Sequence, residues 1–289
     1  MRIAILGAAG FLGKNLTKEL VSRGHQITGY VVKPREVQTL GVTYVSISNF
    51  DNPNLLRDTN YDVVINLAAR RSTRDNPLSE AEVRKFTFEI PKQFILHTAS
   101  PGTLVINSST YIQNFEGIEG RTVDSYGAAK QELSEFLSRD SGAFGFNTLD
   151  LYFFTLYGEG DKPGHLVPLL LNAVKDGKEI SLSPGLQLMN LIYISDAIQN
   201  ISDCLMLETG VPYRKYHVWD DNYFSVRRLV STIEEVTGVL MNCNWGAREY
   251  AGHEMLETWP IPMPKLPGFK TNVTLDEGLQ TLWSQMLKT

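Results

Sequence analysis

Ile3-Ala4-Ile5-Leu6-Gly7-Ala8-Ala9-Gly10-Phe11-Leu12-Gly13 is the stretch whose reading decides the fold. Arg2–Leu6 is a short apolar run, the pattern of a buried strand. Beyond the glycines, Phe11, Leu12, Leu16, Leu20 and Val21 recur at helical spacing, and Gly24 is placed to stop that helix. A strand that turns through glycines into a helix gathers unpaired backbone N–H groups and the positive end of the helix dipole at one point. Without Cβ atoms, the turn also lets an anion approach the backbone. Gly7, Gly10, Phe11, Leu12 and Gly13 are therefore candidate contacts to a dinucleotide pyrophosphate.

Outward from this unit the pattern repeats. Gln26–Val32, Thr43–Ile47, Asp62–Leu67, Thr103–Ile106 and Asn147–Phe154 read as strands. Ala81–Leu96 and Tyr126–Arg139 read as helices, with Pro91 the weak point of the first. Strands alternating with helices of this length imply crossover connections and a parallel sheet covered on both faces. After Tyr157-Gly158-Glu159-Gly160 the texture changes and prolines thicken, above all in Pro260-Ile261-Pro262-Met263-Pro264. The sheet is expected to return at Leu191–Ile194 and Tyr216–Trp219. The fold class read from this is α/β: a Rossmann-type, doubly wound parallel sheet with a smaller, mostly helical substrate domain. Residues 1–157 and 191–220 are assigned to the dinucleotide-binding domain, and 158–190 and 221–289 to the second.

Composition narrows the classes. The chain has 289 residues, 43% hydrophobic and 20% charged, which excludes disordered and low-complexity classes. A net charge of −5 argues against nucleic acid as the main partner. Cys204 and Cys243 form no disulfide framework, and the five histidines His25, His97, His165, His217 and His253 are not at metal-ligand spacing. The N-terminal apolar run is too short for a signal peptide and passes straight into the glycine pattern. No apolar stretch reaches the 18 or so residues that a membrane span needs. The expectation is a cytoplasmic protein without a metal site.

Two further constellations point to chemistry. The second strand ends Tyr30-Val31-Val32-Lys33-Pro34-Arg35. An acid at this tip bonds a ribose 2′-hydroxyl, whereas cations attract a 2′-phosphate, so Lys33 and Arg35 favour NADP(H) over NAD. The other is Tyr126-Gly127-Ala128-Ala129-Lys130, which follows a strand ending in Asn107-Ser108-Ser109-Thr110. Tyrosine and lysine four apart share one helix face. A nearby cation lowers a phenol's pKa from near 10. A serine hydroxyl can then hold the substrate oxygen while the phenol trades its proton. Ser109, Tyr126 and Lys130 are the candidate catalytic residues.

With these motifs in hand, the chain resembles the extended short-chain dehydrogenases/reductases, in their NAD(P)-dependent epimerase/dehydratase branch. Gly7–Gly13 matches G-x-x-G-x-x-G, Tyr126 and Lys130 match Y-x-x-x-K, and Ser109 stands at the family's catalytic Ser/Thr. Val64–Ala69, Leu151–Asp161, Asn190–Ala197, Pro267–Lys270 and Leu275–Leu279 are similar to further family segments. The resemblance implies a nucleotide-sugar substrate, with Tyr126 as acid/base, Lys130 on the nicotinamide ribose and Ser109 on the substrate oxygen. It adds Leu67, Ala68, Ala69, Asn107 and Phe153 as cofactor contacts and Thr110 as a substrate contact. It also implies a homodimer packed through the helix after the fourth strand and the helix carrying Lys130.

Departures refine this. Thr155 replaces an Asn often found near the substrate phosphates, and Met189 an Arg against the diphosphate. Arg71 or Arg248 is the candidate to restore that charge. The segment after Ser109 lacks the Asp-Glu pair of the 4,6-dehydratases, which argues against dehydration. Within the family the chain is most similar to the CDP-linked abequose/paratose synthase group. The implied function is NADPH-dependent reduction of a 4-keto-deoxyhexose nucleotide sugar, with a CDP-linked substrate favoured. The alternatives are an NAD-dependent nucleotide-sugar epimerase and a non-catalytic NADP(H)-binding sensor.

Overall fold

The computed structural model describes residues 1–32, 39–47, 60–73, 76–207 and 210–288. Strand β1 (Arg2–Leu6) leads through the glycine turn into helix α1 (Phe11–Ser22), and β2 (Gln26–Val31) and β3 (Val42–Ser46) complete the first half of a parallel sheet. The other half is β4 (Val63–Asn66), β5 (Leu104–Thr110) and β6 (Asn147–Phe153). Between β4 and β5 run α2 (Glu80–Arg84), a π-helical turn (Lys85–Glu89) and α3 (Ile90–Thr98). A 3₁₀ segment (Tyr111–Gly117) and α4 (Ser125–Phe144) connect β5 to β6.

After β6 come β7 (Thr155–Tyr157), α5 (Leu166–Asp176), β8 (Ile180–Leu182), β9 (Leu188–Met189), β10 (Leu191–Tyr193) and α6 (Ile194–Asp203). The chain ends with β11 (Tyr213–His217), β12 (Phe224–Ser225), α7 (Val226–Thr237), β13 (Cys243–Trp245) and α8 (Leu275–Met286). The main sheet has seven strands in the order β11-β6-β5-β4-β1-β2-β3, every pair parallel. This is a Rossmann-like α/β sheet. Strand order reverses between β1 and β4, and ligands of such sheets bind at that switch point, beyond the carboxyl ends of the strands.

Period-two alternation sorts the strand residues onto two cores. Ile3 and Ile5 join Leu16, Leu20, Ile65, Ile106 and Ile198 under α1 and α6. Ala4 and Leu6 join Val64, Val105, Ile95, Ala129 and Leu133 under α3 and α4. A third apolar cluster joins α5, α7 and α8 through Leu170, Leu171, Leu229, Ile233, Leu279 and Leu282.

Two expectations need correction. Leu191–Ile194 does not return to the main sheet: β10 pairs with β7 in a separate two-stranded ladder, and only the later return, as β11, joins the large sheet. The helix expected over 81–96 is broken in character. Pro91 has no N–H and its ring crowds the carbonyl four residues back, so the ladder widens into a π turn just before it.

Candidate active site

The glycine turn is built as the sequence predicts. Gly7 adopts φ +85°, and an ideal Cβ there would stand 2.9 Å from the Ala68 amide nitrogen. At Gly13 a Cβ would stand 2.2 Å from the Gly7 carbonyl oxygen. The turn is closed by the Gly10 N–H donating to the Gly7 carbonyl (2.9 Å), and no side chain caps α1. The first N–H groups of α1 are thus left for a ligand, in a cradle that any larger residue would fill. Leu67, Ala68 and Ala69, all partly exposed, form the opposite wall across the switch point. A dinucleotide pyrophosphate fits this cradle. Lys33 and Arg35 lie outside the described residues.

Tyr126 and Lys130 occupy the first turns of α4, one turn apart on one face. Lys130 is 2% exposed, and its ammonium donates to the Ser108 carbonyl at 2.6 Å and reaches the Ser108 hydroxyl at 3.4 Å. Burial pulls its pKa down to about 8, against the opposing charge of Asp150. Tyr126 is partly exposed. Burial pushes the phenol up to about 12, with Arg71 pulling down and Asp124 pushing up, so the net shift is opposite to the lowering expected from a nearby cation.

Ser109 requires a correction. It is 5% exposed, and its hydroxyl donates to Asp150 Oδ1 at 2.6 Å and pairs with Ser134 on α4 at 3.1 Å. A hydroxyl so committed is not presented to a substrate. Asn107, expected to meet the cofactor, is likewise turned inward. It is fully buried, its carbonyl accepting from Asn66 at 2.7 Å and its amide donating to Asp150 at 2.8 Å. Phe153 is packed in the core under α1 and α6. The partly exposed hydroxyls of this strand end belong instead to Ser108, beside Lys130, and Thr110, the last residue of β5.

Arg71, expected to restore a cation near the substrate, lies beside Tyr126. Its guanidinium stands 5.6 Å from the centre of the Tyr126 ring and bonds Asp124 Oδ2 at 2.8 Å. Asp124 is also the N-cap of α4, its other oxygen accepting from the Gly127 N–H at 2.7 Å. The π turn contributes here. It seats the buried Thr87 hydroxyl against the Arg70 backbone, accepting from its N–H and donating to its carbonyl, both at 3.1 Å. Pro91 therefore helps fix the loop that carries Arg71.

Thr155 opens β7, its N–H donating to the Asn190 carbonyl. Arg248 is exposed beyond β13, and Met189 pairs with Phe224. His165 is exposed, its ring on the Asp161 carboxylate at 2.6 Å. The sequence reading missed an aromatic wall following Thr110: Tyr111 stacks on Phe154 with ring centres 3.7 Å apart, and Trp259 lies at 6.3 Å. Residue spacing carries no signal for it, since Trp259 comes from the proline-rich segment some 150 positions on. Among the described residues there is no His/Cys/Asp/Glu cluster fit for a metal, and no helix is long and apolar enough to cross a membrane.

The chain is 25% identical over 272 residues to CDP-abequose synthase of Yersinia pseudotuberculosis, covering 89% of this chain and 91% of that one. It is 22% identical to the CDP-abequose synthase of Salmonella muenchen, with 89% and 88% covered. Its fold matches that of the UDP-glucuronic acid 4-epimerase from Bacillus cereus, solved with UDP-glucuronic acid and NAD, with a TM-score of 0.83, 19% identity and 99% and 100% of the two chains covered. The model of the NAD dependent epimerase/dehydratase family matches residues 3–218. With three quarters of its length matched by that model, the chain belongs to the NAD dependent epimerase/dehydratase family.

Proposed function

We propose that this protein is an NADPH-dependent reductase of a 4-keto-deoxyhexose nucleotide sugar, with a CDP-linked substrate favoured. The observation that carries the reading is Tyr126 and Lys130 one turn apart on one face of α4, with the Lys130 ammonium bonded to the Ser108 carbonyl near the carboxyl end of β5. A phenol is protonated at neutral pH, and burial raises its pKa further, so Tyr126 stands in the form that a carbonyl reduction needs at its outset. When bound, a reduced nicotinamide supplies the hydride that adds to C4. Tyr126 gives its proton to the carbonyl oxygen as the alcohol forms. Thr110, at the carboxyl end of β5, donates a hydrogen bond to that oxygen in the role first assigned to Ser109. Lys130 stabilises the phenolate left behind and holds the nicotinamide ribose. Arg71 faces the substrate's diphosphate from the loop after β4.

The consuming reductase is favoured over an epimerase by Lys33 and Arg35 and by the likeness to CDP-abequose synthases over about nine tenths of both chains. We assign residues 1–157 and 191–220 to cofactor binding. The layer built on α5, α7 and α8 is assigned to the sugar nucleotide. Fluorescence titration with NADPH and NADH at fixed ionic strength tests the cofactor choice. The wild type is expected to prefer NADPH by tenfold or more, worth about 1.4 kcal/mol, and Lys33→Glu with Arg35→Glu to abolish the preference. Preference for NADH, or NAD retained through purification, moves the assignment to an epimerase.

A further inference from the structure

Asp150 has no part in the reaction as drawn, yet it is wholly buried in the middle of β6. Its Oδ1 accepts from Ser109 at 2.6 Å and from Asn107 at 2.8 Å, and its Oδ2 accepts from the Tyr213 hydroxyl on β11 at 2.9 Å. All three donors are neutral. An enclosed carboxylate needs a compensating positive charge as well as hydrogen bonds. Lys130, itself nearly buried, is anchored on the carbonyl of Ser108, the residue between the two that grip Asp150 Oδ1. The titratable groups facing this pair are few. Tyr126 lies on the same helix as Lys130, Tyr152 on β6 and Tyr213 on β11. Burial and the charge of Asp150 push Tyr152 and Tyr213 well above the usual phenol range, so neither supplies an anion. Arg71 and Asp124 are paired to each other beside Tyr126. Burial alone drives Lys130 towards its neutral form, and among the described residues Asp150 is the anion that opposes this.

We propose that Asp150 is a positioning residue for the reaction: its carboxylate, fixed by Asn107 and Ser109 on either side of Ser108, keeps Lys130 charged and anchored to the Ser108 carbonyl. This rests on the reading of Lys130 as the electrostatic partner of Tyr126. It also gives the inward-turned Ser109 and Asn107 a task, that of holding the carboxylate of the neighbouring strand.

The test is a pH titration of the Lys130 ε-carbon by NMR in protein labelled with ¹³C-lysine, the signal identified by its loss in Lys130→Arg. Asp150→Asn is expected to lower the Lys130 midpoint by about one pH unit, the lower end of what one close opposite charge supplies. Tyr213→Phe removes a hydrogen bond from the same carboxylate but keeps its charge, and is expected to leave the midpoint near that of the wild type. An unchanged midpoint in Asp150→Asn overturns the proposal. So does an equal drop in both variants, which would mark a general loosening of the site. Should Asp150→Asn fail to fold, Asp150→Ser removes the same charge with a smaller side chain. The titrations need no sugar, so an error in the proposed reaction leaves them standing. An unmoved midpoint in a protein that does reduce keto-sugars removes Asp150 alone.

Discussion

Asp124 holds two contacts that a pair of substitutions separates. One carboxylate oxygen caps α4 on the Gly127 N–H, and the other bonds Arg71. A side-chain N-cap is worth about 1 kcal/mol. The ion pair is about a third exposed on both sides, 37% and 30%, so solvent screens it. Its net worth is about 0.5 kcal/mol. Asp124→Ala loses both contacts and is expected to cost about 1.5 kcal/mol in urea unfolding. Asp124→Asn keeps an oxygen for the Gly127 N–H and loses only the charge, for about 0.5 kcal/mol. Adding Arg71→Ala completes a double-mutant cycle, in which the coupling, the cost of Arg71→Ala in the wild type less its cost in the Asp124→Asn background, should be about 0.5 kcal/mol. Asp124→Asn as costly as Asp124→Ala would refute the capping assignment. A coupling near zero would refute the ion pair as the source of the second term.

Gly13→Ala puts a Cβ 2.2 Å from the Gly7 carbonyl oxygen and 2.8 Å from Ala8 Cα, backbone atoms that cannot swing away. It is expected to abolish dinucleotide binding, read by fluorescence titration. Tyr126→Phe is expected to lower kcat by about 10²–10⁴-fold with cofactor binding retained. In the same assay Thr110→Ala should lower turnover more than Ser109→Ala. His217 is 5% exposed, its Nδ1 has no partner among the described residues, and burial with the charge of Lys265 lowers its pKa from 6.5 to about 4. Between those values the unfolded chain binds the extra proton, so this contribution is complete above about pH 6.5 and is lost as pH falls towards 4. His217→Asn should therefore lose less stability than the wild type between neutral pH and pH 5 in denaturant titrations.

The fold was legible because its signals are local. The glycine turn at Gly7–Gly13 and the apolar strand runs depend on neighbours within a few residues, and the strands they imply appear within a few positions of where the sequence places them. The separate pairing of β10 was hidden because Leu191–Tyr193 is an apolar run like any other, and its partner is chosen in three dimensions. Ser109 was misread for a related reason. Period-two alternation says that Asn107 and Ser109 share a face. Which face it is depends on Asp150 and Ser134, more than twenty residues away. Pro91 was a visible flaw in its helix, but its effect on Thr87 and Arg70 is tertiary. The Arg71–Asp124 pair spans 53 positions, beyond any spacing rule.

The central claim, net reduction of a keto-sugar nucleotide by a consumed cofactor, is tested most directly by mixing the protein with NADPH and a CDP-linked 4-keto-deoxyhexose and following absorbance at the reduced nicotinamide band. The account predicts one NADPH oxidised for each alcohol formed, with the rate lost in Tyr126→Phe. Interconversion of sugar nucleotides at C4 with no net change in the cofactor would contradict it.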